Sequence, residues 1–407
     1  MDDSVSVNGR AYRRPRRPTV VITVDGGDPA YLDDALGRGI MPRLAAMLAG
    51  GGAYHRGRAQ MPTLTNPNNL SIVTGVAPAA HGVPGNHYLA PSGDEVQMVE
   101  PGFLHAGTIH AAMRQSGARV LAVTAKDKLR RLLAVGDVPA ISAERAHEVG
   151  LPELGVPDVR AIVGRPNPGV YDWDLSHYAM EIGLAVHRHV GGLDLLYVSL
   201  TDFVQHKHGP GEPLADRFFQ RFDQLLGQYL GAGFAVGITA DHGMNAKQEP
   251  DGSPRVHYLE DVLAAAGLRA VRVVLPITDP YVRHHGALGS FAWLHLANQK
   301  DLPAARERLA ALAGVEEIFT REEAAVIYEH PADRIGDLSV AADGRTALGK
   351  SLDHHDLSLV ASGLRSHGGR HEQIVPVIVS QPLREPYASW HATGVQNRDI
   401  HDLVLNG

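Results

Sequence analysis

Four short apolar runs rich in β-branched residues alternate along the first part of the chain with segments of helical periodicity. The runs are TVVITVDGG, ARVLAVTAKDK, LDLLYVSLTD and GFAVGITADHG. Helical patterns precede the last three: residues 108–115, then DLSHYAMEIGLAVHRHV, then RFFQRFDQLLGQYL, whose apolar positions fit a 3.6-residue period. Short continuous strands separated by helices indicate a parallel sheet covered on both faces. The sequence therefore predicts an α/β fold with a doubly wound, mostly parallel sheet core.

The segment 250–362 has a different pattern. It contains a helical stretch at 258–266, strand-like VRVVLP and SFAWLHL, a second helical stretch at 303–312, and AAVIYEH. We interpret it as an inserted α+β cap domain. The core then comprises residues 1–249 and 363–407, with QIVPVIVS as a strand that returns to the sheet. The arginine-rich residues before Val20 are interpreted as a solvated lead-in to the first strand, because the apolar run behind them is too short for an export signal.

Composition and charge narrow the function classes. The chain has 407 residues, 44% of them hydrophobic and 20% charged, and a formal net charge of -7. A net negative charge argues against nucleic-acid and membrane partners, so an anionic substrate needs a local site. The absence of cysteine excludes disulfides and thiolate zinc sites. We expect a cytoplasmic enzyme without a membrane span. The sequence leaves the oligomeric state open, with a homodimer as one alternative.

Candidate metal ligands follow the predicted strands, where working residues of such sheets gather. His206 lies four residues after Asp202, so one helical turn would bring both side chains to the same face. Their combination with other carboxylates and imidazoles offers three ligands to each of two divalent ions. Oxygen and nitrogen donors without thiolate suit catalytic Zn²⁺, with Mn²⁺ and Fe²⁺ as alternatives. The six candidates are Asp25, Asp202, His206, Asp241, His242 and His367.

The stretch MPTLTNPNNLSIVTG supplies a hydroxyl beside these ligands. Thr63 and Thr65 precede a short helical pattern that has Pro67 near its first turn. The start of a helix presents free backbone N–H groups and the positive end of the dipole, which together bind phosphate groups readily. A hydroxyl next to a divalent ion is also more acidic than a free one. One of these threonines is therefore a candidate nucleophile, and the pattern alone does not choose between them.

These motifs together resemble the alkaline phosphatase superfamily, in particular its branch of nucleotide pyrophosphatases/phosphodiesterases. The resemblance is carried by Asp25 after the first strand, PTLTNPNNLSIVTG, HGVPGNH, the TDxxxH pattern, ADHGM and the late SHGG. More narrowly, VNGRAYRRPRRPTVVITVDGGDPAY, TNPNNLSIVTG and TAKDKLR resemble the phosphonoacetate hydrolases. The likeness covers most of the chain and is weakest in the cap.

The resemblance implies a role for each matching position. Thr65 matches the family nucleophile and Thr63 a supporting position. One metal ion would be held by Asp25, Asp241 and His242, with Thr65 toward it. The other ion would be held by Asp202, His206 and His367. Asn86 matches the asparagine that donates to a phosphoryl oxygen, and Lys126 and Lys128 match the lysines that receive the substrate carboxylate.

The implied reaction is hydrolysis of the carbon–phosphorus bond of phosphonoacetate to acetate and phosphate. On an extended chain just past a strand end, Lys126 and Lys128 would point to the same side. Two ammonium groups at the substrate carboxylate would stabilise the charge that develops on the leaving acetate. The alternatives are a phosphodiesterase or phosphomonoesterase on the same scaffold and, from another class, a non-catalytic metal-dependent protein that binds anions. In the cap, Arg283 and His285 are candidates for substrate contact.

Overall fold

A seven-stranded sheet forms the centre of the computed structural model. The structure describes residues 3–269, 271–277, 286–360, 363–390 and 394–407. The strands within these ranges are β1 (Ser4–Val7), β2 (Arg10–Arg13), β3 (Thr19–Thr23), β4 (Ala53–Arg58), β5 (His87–Leu89), β6 (Glu95–Gln97), β7 (Val120–Thr124), β8 (Ala140–Ser142), β9 (Leu195–Ser199), β10 (Ala235–Thr239), β11 (Asn245–Ala246), β12 (Val256–Tyr258), β13 (Val271–Val274), β14 (Phe291–Leu296), β15 (Val315–Thr320), β16 (Leu338–Ala342), β17 (Ala347–Gly349), β18 (Arg365–Ser366) and β19 (Ile374–Val379).

The α-helices in the same ranges alternate with these strands. They are α1 (Pro29–Gly37), α2 (Pro42–Ala49), α3 (Thr65–Thr74), α4 (Pro78–His81), α5 (Ile109–Gln115), α6 (Asp127–Leu133), α7 (Val159–Val163), α8 (Leu175–His189), α9 (Pro213–Gly231), α10 (Leu259–Ala265), α11 (Leu302–Ala310), α12 (Arg321–Ile327) and α13 (Ile400–Asn406). No helix within the described residues is long and apolar enough to cross a membrane.

The central sheet confirms the predicted core. Its strand order is β4-β19-β10-β3-β9-β7-β8. The four runs predicted as strands are β3, β7, β9 and β10, and they lie side by side in parallel register. Their residues are buried on both faces, as expected for a parallel sheet between helices. The strand QIVPVIVS does return to the sheet as β19, but it runs antiparallel to β10 and β4.

The N-terminal segment differs from the predicted solvated lead-in. It forms a hairpin of β1 and β2, in which Asn8 and Gly9 have φ values of 50° and 80°. An Asn-Gly pair favours such a tight turn because both residues tolerate positive φ. Tyr12 on β2 is fully buried, and Arg10 forms an ion pair with Asp399 at 2.7 Å. Burial of the Tyr12 ring ties this hairpin to the core, which the charged composition of the segment obscured.

A second sheet lies in the segment predicted as a cap. Strands β13, β14, β16 and β15 form it in that order, with antiparallel pairing throughout. Its apolar cluster includes Leu263 of α10 and Leu309 of α11, and it also takes in Leu64, the residue before α3. The apolar cluster of the second sheet therefore extends to the start of α3. The domain boundaries at 249/250 and 362/363 stay a prediction, and residue 362 lies outside the described residues.

Candidate active site

The carboxyl ends of the central strands bring the predicted residues together. Asp25 follows β3, Lys126 follows β7, Asp202 follows β9, and Asp241 with His242 follows β10. Parallel strands end at one edge of the sheet, so these side chains meet there. The aspartates and His242 are at most 5% exposed. An accumulation of buried charge at one edge is costly unless the groups are paired or hold a cation.

The first group of ligand atoms belongs to Asp25, Asp241 and His242. One atom from each lies within 4.8 Å of the others. Nε2 of His242 is 3.2 Å from Oδ1 of Asp25 and 3.8 Å from Oδ2 of Asp241. Oδ1 of Asp25 is buried and accepts no well-aligned hydrogen bond within the described residues. An orphaned carboxylate oxygen beside a second carboxylate fits the coordination of a divalent ion.

The second group differs in membership from the predicted set. Asp202, His242 and His367 have ligand atoms within 4.8 Å of one another. The rings of His242 and His367 stack with centroids 3.5 Å apart, so His242 takes part in both groups. His206 is also at the site, since its Nε2 lies 2.7 Å from Oδ2 of Asp202. The predicted helical turn exists between these two residues, with the backbone N–H of His206 donating to the carbonyl of Asp202 at 3.0 Å.

The second nitrogen of each histidine is fixed by a backbone carbonyl. Nδ1 of His206 lies 2.7 Å from the carbonyl oxygen of Arg365, and Nδ1 of His367 lies 2.7 Å from that of Thr63. Nδ1 of His242 lies 2.9 Å from the carbonyl oxygen of Gly243. Because a carbonyl only accepts, Nδ1 carries the proton and the Nε2 lone pair is available to a metal ion. This is the tautomer that binds a metal ion through Nε2.

The pKa values at the site reflect the crowding of like charges. Burial and the neighbouring Asp25 raise the pKa of Asp241 well above its usual range. Burial opposes protonation of His242, but Asp241 and Asp25 outweigh it and raise the pKa of His242 to about 10. Burial and the adjacent His242 and His206 hold the pKa of His367 well below its usual value. Without a cation these groups must share protons, whereas a divalent ion would satisfy the carboxylates directly.

The two threonines before and at the start of α3 have distinct surroundings. Thr63 is fully buried; its hydroxyl donates to the carbonyl of Gly369 and accepts from the N–H of Gly368, both at 2.9 Å. Thr65 is the first residue of α3 and borders a cavity, with its Oγ1 3.5 Å from Nε2 of His242. Leu64 precedes the helix without a side-chain cap. Of these two threonines, Thr65 is therefore the one whose hydroxyl is in position to meet a ligand.

The cavity has a volume of about 80 Å³ and collects the remaining predicted residues. Oδ1 of Asn86 accepts from the backbone N–H of Asn66 at 3.1 Å. The amide nitrogen of Asn86 is therefore the atom that can donate a hydrogen bond to a ligand. Nζ of Lys126 lies 3.8 Å from Oδ1 of Asp202. The lining residues are Asp25, Thr65, Asn66, Asn86, Gln97, Lys126, Lys128, Leu129, Asp202, His206, Ile277 and His367.

The predicted extended geometry of the lysine pair is wrong. Lys126 is the residue before α6, and Lys128 lies in the first turn of that helix. A turn of helix and the preceding residue still bring both side chains to the same cavity. Four further lining residues were not predicted, because their residue types carry no metal or phosphate signal: Asn66, Gln97, Leu129 and Ile277. Gln97 reaches the cavity only through the hairpin of β5 and β6. Arg283 and His285 lie outside the described residues.

Comparison with known proteins supplies the family. The sequence matches the type I phosphodiesterase / nucleotide pyrophosphatase family over residues 19–142 and 168–371. Phosphonoacetate hydrolase from Sinorhizobium meliloti 1021, solved with phosphonoformate and with phosphonoacetate, is 44% identical, with a TM-score of 0.93 over 100% of this chain and 99% of that one. The chain therefore belongs to the type I phosphodiesterase / nucleotide pyrophosphatase family. It is a hydrolase of the phosphodiesterase / nucleotide pyrophosphatase type, and the predicted resemblance is confirmed.

A more distant likeness shows the fold alone. Murine ectonucleotide pyrophosphatase / phosphodiesterase 5, solved as an inactive variant in complex with AMP, is 16% identical, with a TM-score of 0.64 over 96% of this chain and 95% of that one. The human protein of the same name is 15% identical, with a TM-score of 0.63 over 95% of this chain and 94% of that one. The scaffold of this hydrolase family is thus shared with proteins of much lower identity.

Proposed function

We propose that this hydrolase cleaves the carbon–phosphorus bond of phosphonoacetate and releases acetate and phosphate. The observation that carries the proposal is the meeting of two lysines, a helix-start threonine and members of both carboxylate–imidazole groups in one small cavity. The 44% identity to a phosphonoacetate hydrolase over the whole chain supports the choice of substrate. A phosphonate at the ligand groups and a carboxylate at the lysines would match the charges of the cavity at both ends.

Two divalent ions fit the residues of the site. Asp25, Asp241 and His242 would hold one ion, and Asp202, His206 and His367 would hold the other. When bound, the ions would lower the pKa of the Thr65 hydroxyl and neutralise the phosphonate oxygens. We propose Zn²⁺ for both positions, with Mn²⁺ and Fe²⁺ as alternatives, because these ligands do not separate the three metals.

The reaction then follows from the positions of the protein groups. Oγ1 of Thr65 releases its proton to water and attacks phosphorus in line, and the positive end of the α3 dipole stabilises the charge on the equatorial oxygens. The amide nitrogen of Asn86 donates to one of these oxygens. As the phosphorus–carbon bond breaks, its electron pair moves to the acetate carbon and delocalises into the carboxylate. Lys126 and Lys128 stabilise that charge, and the carbon takes a proton from water to give acetate.

The second half-reaction regenerates the threonine. Phosphothreonine at position 65 is hydrolysed by water, which breaks the bond between phosphorus and Oγ1. The oxygen of Thr65 regains a proton, and phosphate leaves. The net reaction consumes one water and produces acetate and phosphate.

The size of the cavity favours a small substrate. Because its volume of about 80 Å³ is much less than the several hundred Å³ of a drug-sized pocket, the cavity suits a short phosphonate better than a nucleotide.

Two rival functions are distinguished by one assay of phosphate release. The metal-loaded enzyme is incubated with phosphonoacetate, with aminoethylphosphonate and with a nitrophenyl phosphodiester. We expect rapid phosphate release from phosphonoacetate only, abolished by a chelator and restored by Zn²⁺. Faster hydrolysis of the phosphodiester than of phosphonoacetate would overturn the proposal in favour of the esterase. No turnover of any substrate would favour the non-catalytic anion-binding protein, although the identity to a known hydrolase argues against it.

The cytoplasmic location stays a prediction from the composition.

A further inference from the structure

Asn69 lies on α3 one turn after Thr65 and is fully buried behind the site. We propose that Asn69 is a positioning residue that holds Asp241 and the first turn of α3 in fixed relation, and so sets both the metal affinity of the Asp25–Asp241–His242 group and the aim of Thr65. The inference rests on the proposed function. It assigns a role in the site to a residue that does not line the cavity.

The hydrogen bonds of the Asn69 side chain use every donor and acceptor that it has. Its amide nitrogen donates to the carbonyl of Thr65 at 2.9 Å and to Oδ2 of Asp241 at 3.2 Å. Its amide oxygen accepts from the hydroxyl of Tyr197 at 2.7 Å and from that of Ser199 at 2.8 Å. A carbonyl and a carboxylate only accept, whereas hydroxyls can donate, so the chemistry fixes which way the amide points.

The Asn69 side chain therefore joins α3, the helix that carries Thr65, to the central sheet. Tyr197 and Ser199 lie on β9, and Asp241 follows β10. The hydroxyl of Tyr197 also lies 2.9 Å from that of Thr23, on the strand that leads to Asp25. Since the Tyr197 proton goes to Asn69, Thr23 donates to Tyr197. Strand β9, the end of β10 and the start of α3 thus share a single buried amide, and β3 is linked to it through the Tyr197 hydroxyl.

Two consequences for the site follow from this network. The hydrogen bond from Asn69 to Oδ2 holds the Asp241 carboxylate in one orientation toward His242. Loss of a hydrogen bond that orients a metal ligand typically lowers metal affinity by about 10–100-fold. The bond to the Thr65 carbonyl fixes the first turn of α3, which carries the hydroxyl that meets phosphorus. Lys126 and Lys128 lie on another element, so recognition of the substrate carboxylate does not depend on Asn69.

The neighbouring Asn68 provides a matched control. It lies on the same helix and is equally buried. Its side chain bonds Gln60, Pro62, Leu64 and Asn397, none of which is a proposed ligand. Truncation of either asparagine removes several buried hydrogen bonds, so both variants lose stability. Only truncation of Asn69 should act on the metal group.

The test is titration of Zn²⁺ into the chelator-treated enzyme, for wild type, Asn69→Ala and Asn68→Ala, combined with kcat and KM for phosphonoacetate. For Asn69→Ala we expect at least one Zn²⁺ equivalent to bind about 10–100-fold more weakly. We also expect kcat at saturating Zn²⁺ to fall about tenfold or more while KM stays within about twofold. Asn68→Ala should bind Zn²⁺ like wild type, although its melting temperature falls.

The results that contradict the inference are separable from failure of the proposed function. If wild type binds Zn²⁺ and releases phosphate, but Asn69→Ala and Asn68→Ala have the same Zn²⁺ affinity and kcat, the positioning role is wrong. If wild type binds no Zn²⁺ or leaves phosphonoacetate intact, the proposed function fails, and this inference with it. Should Asn69→Ala not fold, Tyr197→Phe replaces it. Loss of that hydroxyl frees one side of Asn69 and should weaken Zn²⁺ binding about threefold or more, and wild-type affinity in that variant would overturn the inference.

Discussion

Thr63 and Thr65 are separated by a single residue and have opposite hydrogen-bonding roles. The Thr63 hydroxyl joins the chain before α3 to Gly368 and Gly369, next to the proposed ligand His367. The Thr65 hydroxyl borders the cavity. The motif predicted a hydroxyl at a helix start, and the family resemblance selected Thr65. Residue types alone could not, because the partners of Thr63 come from a segment about 300 residues away in the chain.

The proposed partner of the substrate carboxylate, Lys126, can be tested by substitution. Lys126→Ala removes an ammonium group from the end of the cavity where the substrate carboxylate is expected. We expect KM for phosphonoacetate to rise about tenfold or more, since a hydrogen bond to a charged group contributes roughly 1.5–3 kcal/mol. A nitrophenyl phosphodiester, which has no carboxylate, serves as the control substrate and should be affected little. An increase confined to the phosphodiester would contradict the assignment of this lysine. Lys126 is 3.8 Å from the proposed ligand Asp202, so its removal could also change metal binding. Zn²⁺ is therefore titrated into the same variant, and both equivalents should bind as in wild type.

At the scale of elements, a buried ion pair connects the two segments that carry His242 and His367. Nζ of Lys247 lies 2.6 Å from Oε1 of Glu372, and both side chains are fully buried. The other carboxylate oxygen of Glu372 accepts from the N–H of Gly369 at 3.0 Å, and its backbone carbonyl accepts from the N–H of Gly243 at 2.7 Å. Glu372 thus holds the backbone beside both histidines. No sequence pattern indicated the pair, since its members lie 125 positions apart.

Removal of one member of this pair should destabilise the fold strongly. Lys247→Met leaves the Glu372 carboxylate buried without its cation, and we expect a loss of about 3–5 kcal/mol in the free energy of unfolding. The double variant Lys247→Met with Glu372→Gln should lose less than the sum of the two single variants. Urea unfolding of the chelator-treated proteins measures these values. Lys300→Met, at an exposed position, is the control and should change stability by at most about 0.5 kcal/mol. Equal losses from Lys300 and Lys247 would show that the pair has no such role.

Element prediction succeeded where an apolar run is continuous and failed where a strand is short or polar. The runs that became β3, β7, β9 and β10 are continuous and apolar, so burial on both faces was legible. The edge strand β8 has only three residues, and the other edge strand, β4 (AYHRGR), is too polar to stand out from loops. Strand β15 of the second sheet was also missed, because VEEIFT has an irregular pattern with a bulge between Val315 and Glu317. Its neighbour β16 was missed as well, since LSVAA is only five residues long. The fold class could be predicted; the edges of the sheets could not.

At the scale of the whole molecule, several histidines outside the proposed ligand set are buried. Burial lowers the pKa of His330 and of His401 to about 4. Burial, with Arg398, lowers the pKa of His81 to about 3. Each pKa lies below the unfolded value of about 6.5, so the folded protein excludes a proton that the unfolded chain binds. Their stabilising contribution is complete above pH 6.5 and falls as the pH drops toward 4.

One histidine can be isolated by comparing slopes. Between pH 6 and pH 5, His330 should account for about 1 kcal/mol of the wild-type loss in the free energy of unfolding per pH unit. We therefore expect the His330→Gln variant, though less stable than wild type, to lose stability less steeply over this interval. Urea unfolding of chelator-treated protein measures both slopes, and His189→Gln at an exposed position is the control. Parallel slopes for His330→Gln and wild type would mean that His330 does not resist protonation in the fold.

The central claim is that Thr65 attacks phosphorus, and one measurement addresses it directly. Phosphate release from phosphonoacetate is compared for wild type, Thr65→Ala and Thr74→Ala, the last a buried threonine at the far end of the same helix. All three should bind two equivalents of Zn²⁺. We predict that Thr65→Ala loses about a thousandfold or more of the wild-type turnover while Thr74→Ala stays active. Turnover at the wild-type rate by folded, metal-loaded Thr65→Ala would contradict the account, because water would then be the attacking group.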